Sequence, residues 1–280
     1  LIFVIVEAIA GIWGNSLALL SDAGHNLTDV IALALSWYAI RLSSQPANSK
    51  KTFGYHRAGI LAALINSTTL IFVAGYIFYE AYQRLIHVPE VDAAILISVG
   101  AIAFVLNLVT AWLVHQGSDH DLNLRSAFVH LMGDVISTIG AVIAGIVIAF
   151  TGLSWLDPLV SVLIGLLILW NAWGILKETI DILLESTPRD VDTNQIVTSL
   201  LQVAGVKGVH DLHVWSITQN LRALSAHIVT DDVLVSHGAI IQKEINALMS
   251  REYNIAHTIL QLECVDCSPD LLYCDIANGK

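Results

Sequence analysis

Two seven-residue stretches repeat one pattern of metal-ligating side chains. One runs His25-Asn26-Leu27-Thr28-Asp29-Val30-Ile31, and the other His130-Leu131-Met132-Gly133-Asp134-Val135-Ile136. Both read H-x-x-x-D-V-I. In a helix, residues i and i+4 share a face, with Cβ atoms about 5–6 Å apart. Each stretch can therefore present one imidazole beside one carboxylate. Two such helices packed together supply two nitrogen and two oxygen ligands, a tetrahedral set without thiolate that suits Zn²⁺. The bland alternative is a pair of polar helix ends or structural hydrogen bonds. A charge at mid-membrane costs about 2.5–3.5 kcal/mol on insertion scales, which makes two identical spacings hard to ascribe to chance. Asp22, three residues before His25, either lines the approach to the site or caps its helix.

The elements that must carry these residues are membrane helices. The 280-residue chain is 55% hydrophobic and only 13% charged, with 24 acidic and 13 basic residues, whereas a soluble domain carries about 25% charge. Stretches between Arg57 and Glu80, Asp92 and His115, Asp134 and Asp157, and Pro158 and Lys177 contain no Asp, Glu, Lys or Arg. A bilayer core about 30 Å thick needs about 20 such residues of helix. Residues 1–20, apolar apart from Glu7, and residues 18–42, which carry Asp22, His25 and Asp29, complete six spans. Polar groups are tolerated in a span when they face the bundle interior or water. Arg41, Lys50, Lys51, Arg57 and Arg125 lie in the links after the second and fourth helices, so the positive-inside rule places those links and both termini in the cytoplasm. The chain opens inside an apolar run, as a fragment beginning within its first membrane helix would, and shows no signal peptide.

Residues 181–280 hold 13 acidic and 6 basic side chains and read as a soluble domain. Ser186-Thr187-Pro188 marks the boundary, which gives a transmembrane domain over 1–185 and a cytoplasmic domain over 186–280. Helical spacing over 190–204, alternating strands over 208–217 and 222–230, a helix over 234–252 and a strand over 257–264 predict an α+β sandwich of order αββαβ. A domain of that size has a marginal core and often shares a dimer interface. The net charge of −11 argues against nucleic-acid binding and suits a protein that handles cations. Three cysteines, Cys264, Cys267 and Cys274, are too few for a secreted disulfide framework.

The segments SLALLSDAGHNLTDV, TFGYHRAGILAAL and GVHDLHVWSI resemble the cation diffusion facilitators, in particular the zinc-transporting branch of bacterial czc-type and vesicular zinc transporters. The resemblance covers nearly the whole chain. It implies six transmembrane helices, a ferredoxin-like cytoplasmic αββαβ domain, a homodimer, and Zn²⁺/H⁺ exchange. It also assigns the transport site to His25, Asp29, His130 and Asp134. Some relatives carry a metal site before and within an FGH motif. Here that stretch reads Lys50-Lys51-Thr52-Phe53-Gly54-Tyr55, so no such site is expected. Of a long His-rich loop only His115, Asp119, His120 and Asp121 remain, either a cation-attracting patch or a plain solvated loop. His56 either meets metal in transit or is a polar helix end.

In the soluble domain the resemblance implies that His210, His227 and Glu263 converge on a metal, with His237 and the cysteines as further candidates. Solvated or capping histidines are the alternative. Period-two geometry puts His210 and His213 on opposite faces. Cys264 and Cys267 have C-x₂-C spacing without a second pair. Arg57 and Glu185 match positions where the family places an ion pair between membrane and soluble domains, against the alternative of two unrelated edge charges.

The expected function is a secondary transporter exporting Zn²⁺ from the cytoplasm across a bacterial inner membrane in exchange for protons. Metal binding requires neutral imidazole and ionised carboxylate and so displaces protons. No Walker motif supplies ATP coupling, and no H-E-x-x-H motif supports an intramembrane metalloenzyme. A passive channel or sensor would lack proton dependence. His25 is the expected selector for Zn²⁺ over Cd²⁺.

Overall fold

The computed structural model describes residues 1–118 and 122–264, and of 116–118 and 122–126 the backbone alone. Two compact units emerge. Leu1–Tyr38 and Ala62–Lys177 form the first, and Ala39–Leu61 with the chain from Glu178 onward forms the second.

The helical part contains α1 (Ile2–Trp13), α2 (Leu17–Ser43), α3 (Ala58–Ile86), α4 (Ala93–Ser118), α5 (Leu122–Thr151) and α6 (Leu156–Leu183). Four of these, α3 to α6, are long and apolar enough to cross a membrane. Helix α2 has 27 residues but carries Asp22, Asp29 and Arg41, which lower its hydropathy; α1 has 12. The first unit is inside-out relative to a soluble protein. Its centre is filled by small and aliphatic side chains such as Ala18, Ala74, Leu96, Ala141, Ile164 and Ala172. Large apolar side chains point outward, including Phe150 at 86% exposure and Trp170 at 83%. Such a surface suits lipid, and small residues let helix backbones approach closely.

The break between α1 and α2 is set by Gly14-Asn15-Ser16. Asn15 takes φ 49°, a left-handed conformation that asparagine tolerates better than most residues. Ser16 then starts α2, its hydroxyl accepting from the Leu19 amide. Asp22 lies within α2 and is buried, so the helix start is capped by Ser16 and not by Asp22. The expectation that His115 belongs to a loop is also corrected. It sits in the last turn of α4, its ring 4.9 Å from that of Phe128. Asp119, His120 and Asp121 lie outside the described residues.

The second unit contains α7 (Thr193–Leu201), β1 (Val206–Ser216), β2 (Arg222–Thr230), α8 (Val235–Tyr253) and β3 (Ile255–Glu263). The sheet order is β1-β2-β3, with β1 antiparallel and β3 parallel to β2. The parallel pair is joined through α8, as a crossover requires. Ile196 and Leu200 of α7 and Ile241, Ile245 and Met249 of α8 pack with Leu212, Val214, Leu224, Ala226 and Ile228 on one sheet face. The other face carries the histidines.

A bulge on β1 alters the period-two expectation. His210 pairs with His227 and His213 with Ser225, with a register shift between His210 and His213. His227 and Ser225 are two apart on one strand, so their partners His210 and His213 share a face. Asp211, at φ 49°, absorbs the extra residue.

Candidate metal centre

Helix α2 carries His25 and Asp29 one turn apart, and α5 carries His130 and Asp134 in the same way. The two helices bring all four side chains to one point. His25 Nε2 lies 3.2 Å from Asp134 Oδ1 and 3.6 Å from Asp29 Oδ2. His130 Nε2 lies 3.2 Å from Asp29 Oδ2 and 3.8 Å from Asp134 Oδ2. The imidazole rings meet edge to face, 5.4 Å between centroids. One ligand atom from each of the four residues falls within 4.8 Å of the others.

These spacings suit a tetrahedral ion. Zn–N and Zn–O bonds of about 2.0–2.1 Å give tetrahedral edges of about 3.3–3.4 Å. The shorter contacts, 3.2 Å, already lie at that edge length. The longer ones need shifts of a few tenths of an ångström. Both imidazoles present Nε2, and each carboxylate faces the histidine of the opposite helix, so a bound cation draws α2 and α5 together. His25 and Asp134 are buried, whereas Asp29 and His130 are half-buried. One side of the site is thus more open than the other.

The surroundings fix these side chains through the backbone. Thr28 donates to the His25 carbonyl at 2.6 Å, and Ser137 and Thr138 donate to the Asp134 carbonyl at 2.9 and 2.8 Å. Two turns before His25, buried Asp157 of α6 accepts from Ser16 Oγ and the Leu17 amide, both at 2.6 Å, and from the Ala18 amide at 3.2 Å. A carboxylate at a helix N-terminus is favoured by the free amides and the helix dipole. His25 Nδ1 has no hydrogen-bond partner among the described residues.

A second polar cluster adjoins the first. Glu7 of α1, with Asp22 and Asn26 of α2, lies inside the helical unit. Asn26 Nδ2 donates to Glu7 Oε2 at 3.4 Å and to Asp22 Oδ2 at 3.3 Å. The pattern singles out Glu7 as the lone charge of its helix. The i, i+4 spacing of Asp22 and Asn26 is the signal that it belongs to a larger group.

In the second unit, His210, His227 and Glu263 form a further group with metal-ligand spacing. Glu263 Oε2 lies 2.9 Å from His210 Nε2, and Glu263 Oε1 lies 3.0 Å from His227 Nδ1. Burial pushes the Glu263 carboxyl up, but the His210 hydrogen bond, the Gln261 bond and the neighbouring imidazoles outweigh it and hold the group below its ordinary value. His213 stays outside this trio and bonds Asp211 at 3.0 Å, while His227 Nε2 lies 3.5 Å from the same carboxylate. His237 is exposed in the first turn of α8, and Cys264 is exposed with a free thiol. Cys267 and Cys274 lie outside the described residues. His56 is exposed beside a cavity of about 670 Å³ that Lys51, Phe53, Arg57, Glu185 and Trp215 also line. Arg57 Nη2 and Glu185 Oε1 are 3.0 Å apart, an ion pair.

A family model for the cation efflux transmembrane domain matches residues 1–184, and one for the cation efflux protein, cytoplasmic domain, matches residues 188–265. The cadmium, cobalt and zinc/H(+)-K(+) antiporter of Bacillus subtilis (strain 168) is 41% identical over 93% of this chain and 85% of its own length. The cation efflux system protein CzcD of Alcaligenes sp. (strain CT14) is 37% identical over 95% of this chain and 84% of its own. The zinc transporter ZitB of Pectobacterium atrosepticum is 35% identical over 96% and 83%.

Proposed function

Because the chain belongs to the cation efflux family, whose models together match most of its length, we propose that this multi-pass membrane protein exports Zn²⁺ from the cytoplasm in exchange for protons. The observation that carries the proposal is the His25–Asp29–His130–Asp134 cluster, with its shortest contacts at tetrahedral edge length.

The chemistry follows from what those atoms can hold. Zn²⁺ takes neutral imidazole and ionised carboxylate, so its arrival displaces protons from the set. When the imidazoles are protonated, the same geometry gives two imidazolium–carboxylate pairs across the helix interface, His25 with Asp134 and His130 with Asp29. Two positive charges in either form satisfy the same two carboxylates. Exchange of one form for the other, with the site facing one side of the membrane at a time, gives antiport without ATP. Similarity to proteins named as a zinc/H(+)-K(+) antiporter and as a zinc transporter supports this assignment.

The transporter on this reading has six spans, α1 to α6, with both termini in the cytoplasm of a bacterial cell. Its ferredoxin-like domain pairs with that of a second copy. His210, His227 and Glu263 bind cytoplasmic Zn²⁺ there, supported by their convergence on one face of the sheet. Cd²⁺ and Co²⁺ are secondary substrates.

The experiment is Zn²⁺ uptake into inverted vesicles under an imposed pH gradient. Proton-dependent uptake that Asp134→Ala abolishes supports the proposal. Uptake indifferent to the gradient would instead indicate a channel.

A further inference from the structure

We propose that Glu7 and Asp22 form a proton-carrying carboxyl pair, separate from the four metal ligands, that loads a further proton in the exchange for Zn²⁺, beside those on the imidazoles. The inference rests on the Zn²⁺/H⁺ exchange proposed above.

Glu7 is 0% and Asp22 3% exposed, deep in the helical unit. One side-chain nitrogen, Asn26 Nδ2, lies within 3.4 Å of both carboxyl groups. Two ionised carboxylates offer only acceptors, so a hydrogen bond between them requires a proton on one. Asn26 serves one oxygen of each group, Glu7 Oε2 and Asp22 Oδ2. That leaves Glu7 Oε1 and Asp22 Oδ1 buried with no partner among the described residues. A buried acceptor left without a donor is costly, more so when it is charged. One shared proton answers both demands at once.

The donor set also selects the ligand. Oxygen atoms without imidazole do not favour Zn²⁺ over harder cations. Two free oxygens are too few for Ca²⁺ or Mg²⁺, which take six to eight and six ligands. They suffice for one proton held by one carboxyl and accepted by the other, as in carboxyl dyads that cannot both ionise.

The pair is placed to couple to the metal site. Asp22 lies three residues before His25 on α2, and the charges of Asp134 and His25 both act on it. Glu7, with the charges of Asp134 and His25, acts on Asp22, and Glu7 shares Asn26 with it. Zn²⁺ at the metal ligands therefore repels a proton on Asp22, and departure of Zn²⁺ favours its return. Glu7 stands one step further from the metal, on a different helix.

The test uses the full chain in proteoliposomes containing a pH-sensitive dye, with Glu7→Gln, Glu7→Asp and Asp22→Asn. Zn²⁺ affinity is measured by calorimetry on the same preparations, and Zn²⁺/Zn²⁺ exchange is measured at equal pH. The expected result for Glu7→Gln is near-normal Zn²⁺ affinity and exchange, fewer protons moved per Zn²⁺, and pH-driven uptake reduced about a hundredfold, the scale on which a positioned proton-transfer group acts. Glu7→Asp restores part of the coupling. Wild-type proton count and pH profile in Glu7→Gln would overturn the proposal. So would loss of Zn²⁺ binding together with uptake in both Glu7 variants, which would make the pair a support for the metal site. Uptake driven by a potassium gradient, and lost in Glu7→Gln, would assign the pair to an alkali ion instead. A wild-type protein that ignores the pH gradient would overturn the exchange reaction itself, whatever the variants do.

Discussion

Ser16 donates its hydroxyl to Asp157 Oδ1 at 2.6 Å, and through that bond α6 holds the first turn of α2. The Leu17 and Ala18 amides complete the contact. His25 and Asp29 lie further along the same helix, so an error in its start propagates to both side chains.

Asp157→Ala should therefore weaken Zn²⁺ binding without touching a ligand. It removes the acceptor for one hydroxyl and two amides at a buried helix end, and a stability loss of about 2–4 kcal/mol is expected from caps and charge-assisted bonds. Asp157→Asn, which keeps one acceptor oxygen, should lose less. Thermal unfolding and calorimetric Zn²⁺ titration of both variants check the order. Equal Zn²⁺ affinity in Asp157→Ala and wild type would separate the latch from the site.

His25→Asp should keep Zn²⁺ transport and raise Cd²⁺ transport relative to it. The imidazole is buried. A carboxylate is smaller and can bind through two oxygens, which suits a larger ion. Competition between the two metals in vesicles is the measurement. An unchanged Zn²⁺/Cd²⁺ ratio in an active variant would mean that packing elsewhere sets selectivity.

Arg57 and Glu185 form a partly exposed pair at 3.0 Å. Such a pair contributes at most about 1 kcal/mol to stability. Single charge reversals should each lower transport, and the double swap Arg57→Glu/Glu185→Arg should recover it. Additive losses would show that the contact has no functional weight.

Glu263 gives a pH prediction. Its folded carboxyl titrates below the ordinary 4.5. A depressed folded value means that its contribution is fully present above 4.5 and is lost as the pH falls through the folded value. The stability difference between wild type and Glu263→Gln should be constant near neutral pH and shrink only below that window. Chemical unfolding at several pH values, in chelator, measures it. A difference that already shrinks between about pH 7 and 6 would contradict this assignment.

Much of this was legible in residue spacing. The i, i+4 repeat at His25/Asp29 and His130/Asp134 is local, so the helical period alone puts each pair on one face, and shared burial does the rest. Four spans were readable because uninterrupted apolar runs leave no other solvent. Long-range partners were not. Asp157 meets Ser16 from 141 residues away, and neither residue carries a mark of the other. Glu7 looked like an isolated cost within α1 because its partners lie across a helix break. The exchange of faces at His213 came from the Asp211 bulge, which a strict alternation of side chains does not anticipate. No pattern in the sequence pairs Arg57 with Glu185, since both sit at helix ends where single charges are common, and only the family resemblance links them.

X-ray absorption at the zinc edge, on the full chain with His210→Ala and His227→Ala to remove the cytoplasmic cluster, reads the transmembrane site alone. One Zn²⁺ per chain with four nitrogen or oxygen ligands at about 2.0–2.1 Å, including two imidazoles, is expected, with loss of that signal in Asp134→Ala. Sulfur ligation at about 2.3 Å, or an unchanged spectrum in Asp134→Ala, would contradict it.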